Sequence, residues 1–291
     1  MDLNPTIKYL TLSLFSGEKV FYREAGPASA PIVLLLHGFP SSSHQFRNLI
    51  PMLAPKYRVI APDLPGFGFT SVPSTYNYTF ENIATTIGSF LEEISNPPKK
   101  YSVYIFDYGA PTGLRLALKD PEKVEAIISQ NGNAYVEGLG AFWEPVKKLW
   151  ANDTKENRDA LRPFLEINGT KSQYFDGTHD PSSIAPESYT LDQALLDRPG
   201  NKDIQLDLFS NYKTNVALYP KFQEYLRKSQ VPLLAAWGKN DAIFIPPGAE
   251  AFKQDLPKAE VHLLDAGHFA EESNTEEIGK LILDFFEKNG I

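Results

Sequence analysis

The stretch Tyr101-Ser-Val-Tyr-Ile-Phe-Asp107-Tyr-Gly109-Ala-Pro-Thr-Gly113 decides how the rest of this sequence is read. Six apolar or small residues form a buried strand that runs straight into Asp107. A glycine follows two positions later, and a helical pattern starts there. Strand, tight turn and helix in this order form a nucleophile elbow, usually written G-x-S-x-G. Asp107 holds the serine's place, Gly109 supplies the second small residue, and Ile105 stands where the first glycine is usual. A competing reading makes Asp107 only a helix N-cap, a role that aspartate favours on its own account. The thirteen residues alone leave both open.

Working outward, short β-branched runs alternate with amphipathic stretches. Strands are predicted at Ile7–Phe15, Lys19–Glu24, Ile32–Leu36, Tyr57–Ala61, Tyr101–Phe106, Val124–Ser129, Leu233–Ala236 and Val261–Leu264, with a turn at Ser16-Gly17 joining the first two. Helices are predicted at Gln45–Leu53, Phe80–Ile94, Ala110–Leu118, Ala249–Gln254 and Thr275–Lys288. This alternation predicts an α/β fold: a mainly parallel sheet covered by helices on both faces. It lapses between about Asn133 and Tyr219, where Trp, Tyr, Asn, Pro and Gly are frequent and short helices are expected at Glu144–Trp150 and Glu156–Leu165. The simplest account is a core of residues 1–132 and 220–291, with residues 133–219 inserted as a helical cap. Its expected place is over the carboxyl ends of the strands, where open α/β sheets bind ligands.

Composition narrows the chemistry. The 291 residues contain no cysteine, which removes disulfides, thiolate metal sites and a cysteine nucleophile. A net charge of −8 opposes a general phosphate-binding surface, and no basic cluster points to nucleic acid. Residues Met1–Leu10 lack the basic start and apolar run of a signal peptide, and apolar runs such as Ile32–Leu36 are too short to span a membrane. A cytoplasmic enzyme acting on a small molecule is the expectation, and one sequence leaves oligomeric state open.

Three further motifs sit at predicted strand ends. His37-Gly-Phe39-Pro40 follows the third strand, where backbone N–H groups of such folds form half of an oxyanion hole. Trp237-Gly-Lys-Asn-Asp241 follows the penultimate strand, and Leu264-Asp-Ala-Gly-His268-Phe269 follows the last. The chain order is then nucleophile, acid, histidine: Asp107, Asp241, His268. Glu137 is a weaker competitor for the acid. His37 reads as structural, His44 lies near a helix start, His179 in the cap and His262 on a strand, and none has a metal-ligand partner at sensible spacing. Asp63, in Pro62-Asp-Leu-Pro-Gly-Phe-Gly68, reads as a turn-stabilising carboxylate.

Together, His37-Gly-Phe-Pro40, Asp63-Leu-Pro-Gly-Phe-Gly68, Asp107-Tyr-Gly109, Trp237-Gly-x-x-Asp241 and Gly267-His268 resemble the epoxide hydrolase and haloalkane dehalogenase branch of the α/β-hydrolases. The resemblance covers essentially the whole chain. It implies an eight-stranded α/β-hydrolase core, an inserted helical cap and no cofactor. It further implies that Asp107 attacks an epoxide carbon to form an alkyl ester, which water activated by His268 hydrolyses to a vicinal diol. The oxyanion would face the N–H groups of Phe39 and Tyr108. An apolar epoxide is the expected substrate, and a haloalkane or haloacid is the alternative for the same nucleophile.

Relatives that open epoxides use two cap tyrosines as proton donors. The nearest here are Tyr174 and Tyr212, although Lys171 and Lys213 fall closest to the expected positions; Tyr135 is a reserve. Halide-binding relatives commonly place a tryptophan after the nucleophile. Tyr108 stands there instead, which leaves Trp143 or Trp150 as the available indole donors. Phe142, Trp143, Trp150 and Phe164 read as cap core and pocket wall.

Overall fold

The computed structural model describes residues 6–291; Met1–Pro5, half of the segment read as lacking a signal peptide, lie outside the described residues. The strands are β1 (Lys8–Ser13), β2 (Lys19–Ala25), β3 (Ile32–Leu36), β4 (Arg58–Pro62), β5 (Tyr101–Phe106), β6 (Val124–Gln130), β7 (Leu233–Gly238) and β8 (Glu260–Leu264). They form one sheet in the order β1-β2-β4-β3-β5-β6-β7-β8. β1 and β2 pair antiparallel, as do β2 and β4, and every pairing from β4 through β3 to β8 is parallel. All eight predicted strands are present, with ends moved by one or two residues.

The uninterrupted apolar runs have a simple cause. Side chains alternate across a strand, so a sheet covered on both faces needs apolar residues at every position. Leu34, Leu36, Val103, Ile105 and Ile127 pack on one face with Ile83, Ile87 and Leu114. Val33, Leu35, Tyr104, Phe106 and Ile128 pack on the other with Leu49, Leu53, Ile278 and Ile282. The first face is covered by helices Phe80–Glu93 and Gly109–Lys119, the second by Leu49–Leu53 and Thr275–Asn289. Thr79 begins the Phe80 helix by accepting a hydrogen bond from the Asn82 N–H at 3.1 Å. The predicted helix Gln45–Leu53 is two pieces, a 3₁₀ turn at Ser43–Arg47 that the Ser42 hydroxyl caps by accepting from the His44 N–H, and an α-helix at Leu49–Leu53.

Between β6 and β7 the described elements are all helical. The main ones are Trp143–Ala151, Ile167–Phe175, Pro186–Leu196, Asn201–Asn211 and Lys213–Ser229. The stretch read as one helix at Glu156–Leu165 is a short helix at Lys155–Asp159 followed by a 3₁₀ turn at Arg162–Leu165, where Pro163 interrupts it. These helices lay aromatic side chains over the strand ends: Trp143 packs 5.3 Å from Phe244, and Tyr174 stacks 4.0 Å from Phe269. Among the described residues, no helix is long and apolar enough to cross a membrane.

The elbow is the tightest point of this architecture. Asp107 adopts φ 46°, a left-handed conformation that a β-carbon resists. The start of the Gly109 helix lies so close to β3 that a Cβ on Gly109 would collide with the carbonyl oxygen of Leu36. Because Ile105 occupies the usual site of the first glycine, its side chain needs room elsewhere. Gly113 provides it, one turn into the helix, where a Cβ would lie 2.6 Å from Ile105 Cγ2. Gly109→Ala should therefore cost at least about 2 kcal/mol, since a backbone atom cannot step aside as a side chain can. Urea denaturation would measure this, and an unchanged midpoint would contradict the close approach.

Candidate active site

β5 delivers Asp107 to the carboxyl edge of the sheet, and the neighbouring strands deliver its partners. From the loop after β3, the Phe39 N–H donates to Asp107 Oδ1 at 2.6 Å. The Tyr108 N–H lies on the same side and lowers the pKa of the carboxylate. Both groups expected to form the oxyanion hole thus point at one side chain. Asp107 is 4% exposed, and burial pushes its pKa up to about 6, against the lowering effects of His268 and the two N–H groups.

His268 comes from the turn after β8. Its Nδ1 lies 2.8 Å from Asp241 Oδ2, and its Nε2 lies 4.0 Å from Asp107 Oδ2. The first separation is a hydrogen bond and the second is too long to be one. Nε2 has no hydrogen-bond partner within the described residues. Burial lowers the pKa of the imidazole, but the adjoining Asp241 and the Asp107 charge together outweigh it and the net shift is upward. Glu137, the other candidate acid, is exposed and 3.3 Å from Gln254 instead.

Asp241 is fastened by residues that sequence reading passed over. Its Oδ2 also accepts from Asn131 Nδ2 at 2.7 Å, and its Oδ1 accepts from the Ile243 N–H at 2.7 Å. Asn131 Oδ1 in turn accepts from the Gly238 N–H at 2.9 Å. Next to it, Gln130 Nε2 donates to the His268 carbonyl at 2.8 Å, and Tyr104 donates to Gln130 Oε1 at 3.2 Å. Asn131 holds φ 47°, a conformation that asparagine tolerates better than most residues. The available signal was a polar Gln-Asn pair ending an apolar parallel strand.

The cap residues divide sharply. Tyr212 is brought to the site: its ring lies 5.9 Å from that of Tyr108 and 4.4 Å from that of Trp143, and the Asp107 charge contributes to its raised pKa after burial and Tyr219. Tyr174 is not. Its hydroxyl donates to Asp192 Oδ2 at 2.5 Å, so its proton is committed to a buried carboxylate. Tyr135, the reserve, donates to Asp255 Oδ2 at 2.7 Å beside the Phe252 ring. Lys171 and Lys213 are exposed.

The expectation of a free indole donor is also corrected. Trp143 Nε1 donates to the Ile243 carbonyl at 2.9 Å, and Trp150 Nε1 to the Phe209 carbonyl at 2.8 Å. Trp237, the third and last tryptophan, donates to the Phe244 carbonyl at 2.8 Å. Each indole N–H is thus paired with a backbone carbonyl that would be costly to leave unpaired away from water. Phe142 and Phe164 pack 4.9 Å apart and line a cavity of about 120 Å³ that reaches Gln173, Ile243, Asp241 and His268.

His37 is buried between the Leu64 N–H, which donates to Nε2 at 2.9 Å, and the Gly38 carbonyl 3.0 Å from Nδ1; burial lowers its pKa. Asp63 accepts from the N–H groups of Ser43 and Phe69 at 2.7 and 2.8 Å, a turn-fixing arrangement. His44 is half-buried and pushed down to about 4 by burial and two arginines. His179 pairs with Asp265 on the surface, and His262 is half-buried on β8. No cluster of metal-binding side chains occurs among the described residues.

A family model described as alpha/beta hydrolase fold matches residues 31–275. The chain belongs to that family. Among its relatives, an uncharacterised hydrolase of Saccharomyces cerevisiae is 47% identical over 290 residues, spanning 98% of this chain and 99% of that one. A haloalkane dehalogenase of Psychrobacter cryohalolentis is 27% identical over 288 residues, spanning 93% and 88% respectively. The crystal structure of a loop variant of a Bradyrhizobium elkanii haloalkane dehalogenase superposes with a TM-score of 0.80, covering 98% of both chains at 22% identity, which is a likeness of fold. This protein is therefore a hydrolase of the α/β family with dehalogenase relatives.

As an α/β-hydrolase it carries a buried carboxylate whose ionisation opposes folding. A group with its folded pKa raised is most favourable to the native state below its unfolded pKa, and that contribution is lost as pH rises through about 6. At pH 8 Asp107→Asn should thus stabilise the fold, the more so because asparagine suits the left-handed backbone. A gain of about 1 kcal/mol corresponds to roughly 2–4 °C in Tm. A fall in Tm at pH 8 would show that the charge is compensated.

Proposed function

We propose that this α/β-hydrolase opens epoxides to vicinal diols through an ester on Asp107. The observation that carries the reading is the carboxylate at the elbow, gripped by the Phe39 N–H at 2.6 Å and facing His268 Nε2 at 4.0 Å. A carboxylate at this point is suited to attack on a saturated carbon bearing a leaving group. Its Oδ2 would attack an epoxide carbon while the C–O bond breaks and the electron pair moves to the ring oxygen. A proton from Tyr212 would complete the alcohol. Water, losing a proton to His268, would then attack the ester carbonyl, and the oxyanion would be held by the N–H groups of Phe39 and Tyr108. Collapse releases the diol with a proton from His268. It leaves Asp107 in its acid form, whose proton restores Tyr212. Residues 133–219 act in this scheme as a cap that closes the site over an apolar substrate, and no cofactor enters any step.

The dehalogenase reading draws support from relatives bearing that name. Against it stand the three indole N–H groups, all committed to carbonyls, while the buried Tyr212, its ring 5.9 Å from that of Tyr108, suits an oxygen leaving group that must be protonated.

His268→Gln should trap the ester. After incubation with styrene oxide, intact mass should rise by one substrate, and tryptic peptides should place it on Asp107. Absence of an adduct across a panel of epoxides would remove the reading; release of bromide from alkyl bromides with no epoxide adduct would replace it. In the unmodified enzyme, His268 is held above its ordinary value of about 6.5 and Asp107 is pushed up to about 6. As pH falls, the imidazole base is lost before the carboxylate nucleophile. Ester should therefore build up during turnover in mildly acid buffer and vanish at pH 8, as rapid-quench mass spectrometry would record. Accumulation at high pH instead would contradict this order.

A further inference from the structure

Seven residues beyond Tyr212, on the same face of the helix Lys213–Ser229, stands a second buried tyrosine. Tyr219 is 2% exposed, and its hydroxyl oxygen lies 3.4 Å from that of Tyr212. It also accepts from Asn133 Nδ2 at 3.1 Å. Asn133 sits in the loop after β6, and the same amide nitrogen donates to the Tyr135 carbonyl at 2.7 Å. An amide nitrogen only donates, so Tyr219 is the acceptor in the Asn133 contact. With one lone pair of Tyr219 taken by Asn133, the Tyr212 oxygen is the partner within reach of the Tyr219 proton, and either hydroxyl of the pair can donate. When Tyr219 is the donor, Tyr212 accepts and keeps its own proton free for another partner.

We infer that Tyr219 is a positioning residue for the ring-opening step, donating to Tyr212 and so turning the Tyr212 proton toward the substrate oxygen. The inference rests on the epoxide reading above. When Tyr212 gives its proton to the opening ring, negative charge gathers on the phenol oxygen. The Tyr219 oxygen lies 3.4 Å from it, so its O–H can turn to the developing phenolate, with Asn133 donating to Tyr219 from behind, and the three groups polarise one another. A hydrogen bond to a charged group is roughly twice as strong as one between neutral groups. The contact therefore strengthens in the transition state, which is what acceleration requires. The Asp107 charge contributes to the raised pKa of both phenols, placing the pair around the same reaction centre; burial is the larger cause in each. Tyr174, tied to Asp192, has no such place in the chain.

Sequence alone did not single out Tyr219. The resemblance called for two tyrosines at separate points of the cap, and this pair instead works in series along one helix.

The test is a double-mutant cycle in the His268→Gln background, with alkylation by styrene oxide followed by intact mass. Tyr212→Phe should slow adduct formation at least about a hundredfold, the low end for a general acid. Tyr219→Phe, which keeps the ring and its packing, should slow it about tenfold or more. The double variant should be no slower than Tyr212→Phe, because Tyr219 acts only through the Tyr212 oxygen. A merely structural role would instead give losses that multiply. Multiplying losses, or an alkylation rate indifferent to position 219, would overturn the inference and leave the epoxide reading standing. If no adduct forms with both tyrosines intact, the epoxide reading falls and the inference falls with it.

Discussion

The organisation of this molecule depends on keeping one carboxylate charged inside a wall of apolar and aromatic side chains. Asp107 is buried among Phe39, Tyr108 and Phe106, and an ionised carboxylate there is costly unless donors face it. The Phe39 and Tyr108 N–H groups are those donors, fixed by backbone and needing no rearrangement. They can point inward only because the chain folds back sharply on both sides of the strand ends, with Asp107 itself at φ 46°. Strain, buried charge and a close helix–strand approach are thus concentrated at one turn, which the sheet on either side must hold in place.

The histidine arm answers the same constraint at a second level. An imidazole buried without a partner stays neutral and weakly basic, whereas Asp241 raises its pKa. Asp241 is itself a buried carboxylate, and it is satisfied by Asn131 and Ile243 as well as by His268. Three adjacent strand ends, those of β6, β7 and β8, therefore share one hydrogen-bonded network. A parallel sheet suits this because its strands all end on the same side, bringing residues distant in the chain within a few ångströms.

In the proposed reaction, the helical segment between β6 and β7 would contribute what the sheet lacks: hydroxyl protons and an apolar cover. Its aromatic residues are not interchangeable. Indole N–H groups are spent on carbonyls and act as scaffold, whereas the Tyr212 and Tyr219 hydroxyls face each other near the nucleophile. Tyr174 serves a different purpose. It stacks on Phe269, next to His268, and its hydroxyl reaches Asp192. This ties the Ile167–Phe175 and Pro186–Leu196 helices to the arm that carries the imidazole.

By itself, the sequence determined the sheet, its alternation with helices and the strand ends at which Asp107, Asp241 and His268 appear. Those features are written locally: apolar runs of five to seven residues declare buried strands, and each motif lies directly after one. Asn131 was less legible, since a polar residue at a strand end gives no sign of the carboxylate it will meet 110 positions later. The cap tyrosines were legible only as a set. Which hydroxyl is free and which is already bound depends on partners such as Asp192, Asp255 and Asn133, brought up by other segments of the chain. Hydrogen-bond direction is a property of neighbours in space, and only the tertiary structure supplies those neighbours.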